Sequence, residues 1–133
     1  MATLHFDLVA PERVLFTGEV EAVMLPATDG DMTVLPGHAP VITTLRTGVV
    51  VVTNHKNEGE RVLVRGGFAE IGATGVTVLA ERALPVEELT PEIIDREIFQ
   101  AELARDASED FAAKQAADAA IAQLREARAA LGF

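Results

Sequence analysis

Three histidines, His5, His38 and His55, are the side chains best suited to move a proton or hold a metal near neutral pH. Their spacing argues against both. No pair follows a short ligand pattern such as H-x-x-x-H, and the chain has no cysteine. Thiol catalysis and disulfides are excluded with it. The only serine, Ser108, stands outside any G-x-S-x-G context. There is no G-x-x-x-x-G-K-[ST] phosphate loop, and Gly66-Gly67 lacks the third glycine and following helix of a dinucleotide fingerprint. The 21 acidic residues are scattered over turns and helix faces. A solvated face is the ordinary reading of such a spread, and an acid/base pair in a cleft the rarer one. The expectation is a chain with no catalytic group, no metal and no cofactor.

Composition narrows the partners. The net charge of −10 argues against nucleic acid, whose counterions are displaced by Lys and Arg. It equally disfavours adhesion to anionic lipid. The longest uninterrupted apolar run, Val49 to Val52, is far short of a membrane span. The first ten residues alternate polar with apolar and have no basic start, unlike a signal peptide. Direct lipid insertion is not expected, so any membrane association comes through another protein. Half the residues are hydrophobic, with six Phe and no Trp or Tyr, so the core is aliphatic.

Glycine and proline divide the chain. Nine of ten Gly precede residue 76, and the last Pro is Pro91. A β domain over residues 1–86 and an α appendage over 87–133 are expected. In the first part, Leu4, Phe6 and Leu8 alternate with polar residues, as do Val20, Ala22 and Met24. Further strands are read at 13–17, 32–35, 41–45, 48–53, 61–65, 68–71 and 76–80, with a polar turn at 54–60 and a bulge or sharp bend at Gly66-Gly67. About ten short antiparallel strands with turns between them argue a β-sandwich. Val49 to Val52 breaks the alternation, so both faces of that strand are read as covered, either inside the sandwich or by a partner.

The second part opens on Thr90-Pro91-Glu92: an N-cap, a first-turn Pro and an acid for the helix dipole. Ile94 with Ile98, and Phe99 with Leu103, make an apolar stripe. Ser108-Glu109-Asp110 is read as the start of a second helix carrying Ile121, Leu124 and Leu131 on one face. Ten of the 26 residues from 108 to 133 are Ala, so the two helices form a hairpin with a small interface. A movable hairpin and a permanently closed one both fit. Residues 1–86 hold 10 acids against 6 bases, net −4, and residues 87–133 hold 11 against 5, net −6.

One stretch joins these features: Asp29 to Pro40, DGDMTVLPGHAP. It has an acidic glycine turn, a short apolar run and a loop stiffened by Pro36 and Pro40. It resembles the G-E/D-L/M-x-V-L-P-G-H-A-P signature of the epsilon subunit of bacterial F-type ATP synthases. Val64 to Ile71, Val76 to Glu81 and Ala120 to Arg125 fit the same family in the same order, so the resemblance spans the chain.

The resemblance implies a non-catalytic rotor subunit of the central stalk, coupling rotation of the c-ring to the gamma subunit during ATP synthesis. Its place is peripheral, on the cytoplasmic face of the bacterial inner membrane. By similarity, Ala10, His38, Pro40, Val41 and Leu45 face gamma, and Asp29, Asp31 and Met32 face the c-ring loops. Ala10 stands where the family often has Ser. The family's hairpin also reaches the alpha and beta subunits and regulates ATP hydrolysis. Some members hold ATP through I/L-D-x-x-R-A. Here Ile94 and Asp95 remain, but Ile98-Phe99 replaces Arg-Ala, so a phosphate ligand is missing. A net −6 hairpin would be repelled by acidic catalytic subunits, so weak inhibition is expected. The competing reading is a small β-sandwich enzyme or ligand carrier with a helical lid. It needs convergent polar groups in a pocket.

Overall fold

A computed structural model describes residues 2–54 and 59–133. His55 and most of the expected turn at 54–60 lie outside the described residues. The chain divides into two compact units, Met1–Glu87 and Glu88–Phe133.

Among the described residues, the first unit holds eight strands: β1 (Leu4–Ala10), β2 (Arg13–Val20), β3 (Ala22–Ala27), β4 (Gly30–Val34), β5 (Val41–Thr44), β6 (Gly48–Thr53), β7 (Arg61–Ile71) and β8 (Gly75–Pro85). They pair in the order β2-β1-β8-β7-β6-β3-β4, with β5 also on β7. The fold is the expected sandwich, with two local differences. First, the segments expected at 61–65 and 68–71 are one strand, and the bend expected at Gly66-Gly67 lies within it: both glycines have positive φ, +71° and +119°, and the core-facing residues change from Val62 and Val64 to Ala69 and Ile71 across them. Its pairing with β8 keeps one register, Arg65 opposite Arg82 and Gly67 opposite Ala80. The partner on the other edge also changes there: β6 pairs 61–64 and β5 pairs 68–71. Second, β1 and β8 are parallel while every other pair is antiparallel. A parallel pair needs a long crossover, and the six intervening strands supply it.

Gly67 is required at the switch. Its φ is +119°, and a Cβ there would stand 2.2 Å from the Leu79 carbonyl oxygen. The Leu45 N–H donates to the Gly67 carbonyl (2.9 Å), and the Arg46 N–H donates to that of Pro26 (2.9 Å), pinning the break between β5 and β6.

Strand parity sets the core. Leu4, Phe6, Leu8, Val50, Val52, Val62, Val64, Val76 and Val78 all point inward and are buried. Each aliphatic side chain removed from water contributes about 1.5–3 kcal/mol. In the run 49–52, Val50 and Val52 are core, while Val49 and Val51 are half-buried.

In the second unit, α1 (Pro91–Ala107) starts where expected: Thr90 caps it, its Oγ1 accepting from the Ile93 N–H (3.2 Å). The helix α2 (Phe111–Ala130) is capped by Asp110 rather than Ser108. Ser108 instead closes α1, its N–H donating to the Arg105 carbonyl. The buried stripe of α1 is Ile94, Glu97, Ile98 and Ala101. Phe99 and Leu103 lie on another face and are 57% and 52% exposed, because i, i+4 spacing defines a line on the helix but not its direction. In α2, Ile121 and Leu124 are buried, while Leu131 is half-buried. The helices are antiparallel, joined by Arg105–Asp118, Arg125–Glu102 and Arg128–Asp95.

Candidate partner-binding surface

The stretch 29–40 does not form one site. Its acidic turn closes the β3–β4 hairpin, where Ala27 pairs with Gly30. The proline loop leaves the opposite end of β4. There the Gly37 N–H donates to the Ala73 carbonyl (2.9 Å), tying the loop to the β7–β8 turn. Asp31 and His38 therefore sit at opposite ends of a five-residue strand.

At the turn, Asp29 and Asp31 are exposed. Asp31 is already engaged: Arg46 Nη2 donates to its Oδ1 at 2.6 Å, and Nη1 donates to the Ala27 carbonyl at 2.8 Å. Met32 packs partly against the core. In the loop, Pro40 is exposed and His38 half-buried. His38 Nδ1 donates to its neighbour's carbonyl, Ala39, at 2.7 Å. Val41 is 39% exposed at the start of β5. Leu45 is 6% exposed and belongs to the core. It offers no surface to a partner, because the β5–β6 break turns it inward beneath Gly67. Ala10 is half-buried at the end of β1. Ile94 is fully buried, and Asp95 is paired with Arg128.

A larger surface emerges from pairing. On the outward parity of β1, β8, β7 and β5, Asp7 stands opposite Thr77, Thr77 opposite Glu70, and Glu70 opposite Ile42. One row on, Val9 stands opposite Leu79, Leu79 opposite Phe68, and Phe68 opposite Thr44. Phe68, Leu79 and Ile42 are 39%, 41% and 69% exposed. Two shallow hollows shape this face. One, of about 460 Å³, is lined by Val9, Ala10, Pro11, Phe68, Leu79 and Glu81 among others. The other, of about 820 Å³, includes Pro40, Val41, Ile42, Ile71, Thr77 and Glu70. Ala10 belongs to the first hollow, and Pro40 and Val41 to the second. Phe68, Leu79 and Ile42 were not among the residues singled out above. For two of them the signal was available: Phe68 and Leu79 are apolar at a parity where their strand neighbours, Glu70 and Thr77, are polar.

Residues 3–86 match the family described as ATP synthase, Delta/Epsilon chain, beta-sandwich domain. This chain belongs to that family. It is similar to proteins named ATP synthase epsilon chain from Fuscovulum blasticum (45% identical over 133 residues, 99% of this chain and 98% of that one), Jannaschia sp. (50% over 117 residues, 88% of each) and Parvibaculum lavamentivorans (50% over 99 residues, 74% and 75%). Among solved structures, its fold is similar to a chain of the Euglena gracilis mitochondrial ATP synthase, with TM-score 0.76, 23% identity, and coverage of 98% of this chain and 82% of that one. A chain of the Tetrahymena thermophila mitochondrial ATP synthase central stalk and c-ring gives TM-score 0.67, 12% identity, and coverage of 93% and 95%. The identity at sequence level extends beyond the sandwich in the first two relatives, so the helical pair is part of the likeness. No described helix of this family member is long and apolar enough to cross a membrane.

Proposed function

We propose that this epsilon-family chain is a non-catalytic subunit of the ATP synthase central stalk that joins the gamma subunit to the c-ring. The observation that carries the reading is the outward apolar face of β1, β8, β7 and β5. Phe68, Leu79 and Ile42 stand exposed there on a rigid sheet, and contiguous apolar surface of this kind marks a protein contact. We assign gamma to this face, with Ala10, His38, Pro40 and Val41 along it. The c-ring goes to the β3–β4 turn, where Asp29 and Asp31 are exposed and Asp31 pairs with the half-buried Arg46. In the assembled complex the chain works at the cytoplasmic face of the bacterial inner membrane, held there by its partners.

The hairpin is the regulatory part, with the alpha and beta subunits as its targets, and we assign it weak inhibition of hydrolysis. The support is its net −6 charge, from 11 acids and 5 bases over residues 87–133, which opposes docking on acidic protein surfaces. The test uses the synthase complex stripped of this chain. Adding back the full chain restores proton-driven ATP formation, and a Phe68→Ala, Leu79→Ala double variant restores it poorly. Full restoration by that variant would remove the face from the reading. ATP hydrolysis is then compared with and without residues 88–133, and a severalfold rise on truncation would refute weak inhibition.

A further inference from the structure

The two hollows of the outward face share a pattern. Each holds a single carboxylate, Glu81 among largely apolar residues in one and Glu70 among apolar residues, glycines, Thr74 and Thr77 in the other. Among the described residues, neither is lined by Lys, Arg or His. Among the described residues, neither carboxylate has a hydrogen-bond or ion-pair partner. Glu70 stands opposite Thr77. Glu81 lies over Gly66, where its Oε2 would stand 2.6 Å from an added Cβ. Between them on the same parity is the Phe68–Leu79 pair. Four residues of β7 separate the Glu70 position from the Gly66 position, about 13 Å at the strand rise.

A carboxylate can stay in water at no cost. Covered by an apolar partner without a counter-ion, it loses hydration that nothing replaces, and binding is weakened. A surface that buries Phe68 and Leu79 must cover both flanking carboxylates or stop short of them. We infer that the partner presents two basic side chains roughly 13 Å apart with an apolar residue between them, seated on the Phe68–Leu79 pair. The inference rests on the assignment of gamma to this face, and it adds the charge pattern that selects the partner. The two carboxylates act as discriminators: they reject an apolar or acidic surface that Phe68 and Leu79 alone would accept.

The test measures binding of the full chain to the catalytic complex, gamma included, from which this subunit has been removed. The variants are Glu70→Lys, Glu81→Lys, their double, the isosteric Glu70→Gln with Glu81→Gln, Phe68→Ala, and Glu60→Lys as a charge reversal outside both hollows. Circular dichroism checks that each is folded. Each single reversal is expected to weaken binding about tenfold or more, as loss of a covered charge pair does. The double Gln variant weakens binding less and flattens its salt dependence. Glu60→Lys has no effect. If Phe68→Ala weakens binding while both reversals leave it unchanged, the face stands and the charge pattern is overturned. If Phe68→Ala and the reversals all leave binding unchanged, the face itself is misassigned and the inference falls with it.

Discussion

Asp95 on α1 and Arg128 on α2 meet fork to fork: Nε donates to Oδ1 at 2.7 Å and Nη2 to Oδ2 at 3.4 Å. Asp95 is the acid that the family resemblance matches to a nucleotide motif, and here its carboxylate bonds the second helix. The guanidinium is held above its ordinary value, first by the hydrogen bond to Asp95 and then by that carboxylate's charge. Because the pair is solvent-exposed, Asp95→Asn is expected to loosen the hairpin slightly. The effect should be visible as faster amide exchange in α2 and should fade at about 1 M salt. Calorimetry with millimolar ATP and Mg²⁺ should show no binding heat for the unaltered chain. A micromolar dissociation constant would show that the pair opens for nucleotide.

His5 lies between two carboxylates, 2.9 Å from Glu19 and 3.1 Å from Asp7. Its imidazole is raised above 6.5, chiefly by the hydrogen bond to Glu19 and next by the charge of Asp7. A raised folded value means that the protonated ring favours the folded state. That stabilisation is full below about pH 6.5 and is lost as pH climbs through the raised value. Urea midpoints of the natural chain and His5→Gln should therefore differ most near pH 6 and converge toward pH 9. A constant gap across that range would show that protonation contributes nothing.

Gly67 and Gly30 both have φ far above zero, +119° and +136°, but only Gly67 is crowded. Gly30→Ala meets nothing within 4 Å and should cost about 1–2 kcal/mol, the backbone penalty alone. Gly67→Ala also drives a methyl into the Leu79 carbonyl at 2.2 Å and the Ala80 Cα at 2.8 Å. It should cost several kcal/mol, about the scale of severe core damage. Denaturant unfolding of the two variants checks the order, and equal losses would contradict it.

Phe6 is fully buried, its ring centroid 5.7 Å from that of Phe16. Phe6→Ala removes the largest side chain at the centre of β1 and leaves a cavity. A loss of about 3–5 kcal/mol is expected by chemical denaturation. A loss under about 1 kcal/mol would mean that the sandwich collapses into the space.

Much of this was legible in the chain itself. The period-two alternation at Leu4, Phe6 and Leu8 and the Thr90-Pro91 start of α1 are local. Side-chain parity and cap chemistry involve residues two to four apart, so adjacent letters suffice. The stretch from Asp29 to Pro40 likewise carried the family resemblance.

Tertiary structure decided what depends on distant partners. The parallel β1–β8 pair joins segments some 70 residues apart. The exchange of β6 for β5 along β7 made one strand of two expected ones, and it turned Leu45 from a surface candidate into core. Asp31 and His38, seven letters apart, were sent to opposite ends of β4, while Glu70 and Glu81 were brought to flank one aromatic–aliphatic pair. Alternation says that a side chain leaves the sheet on one side. Only the register of pairing says which other side chains leave beside it.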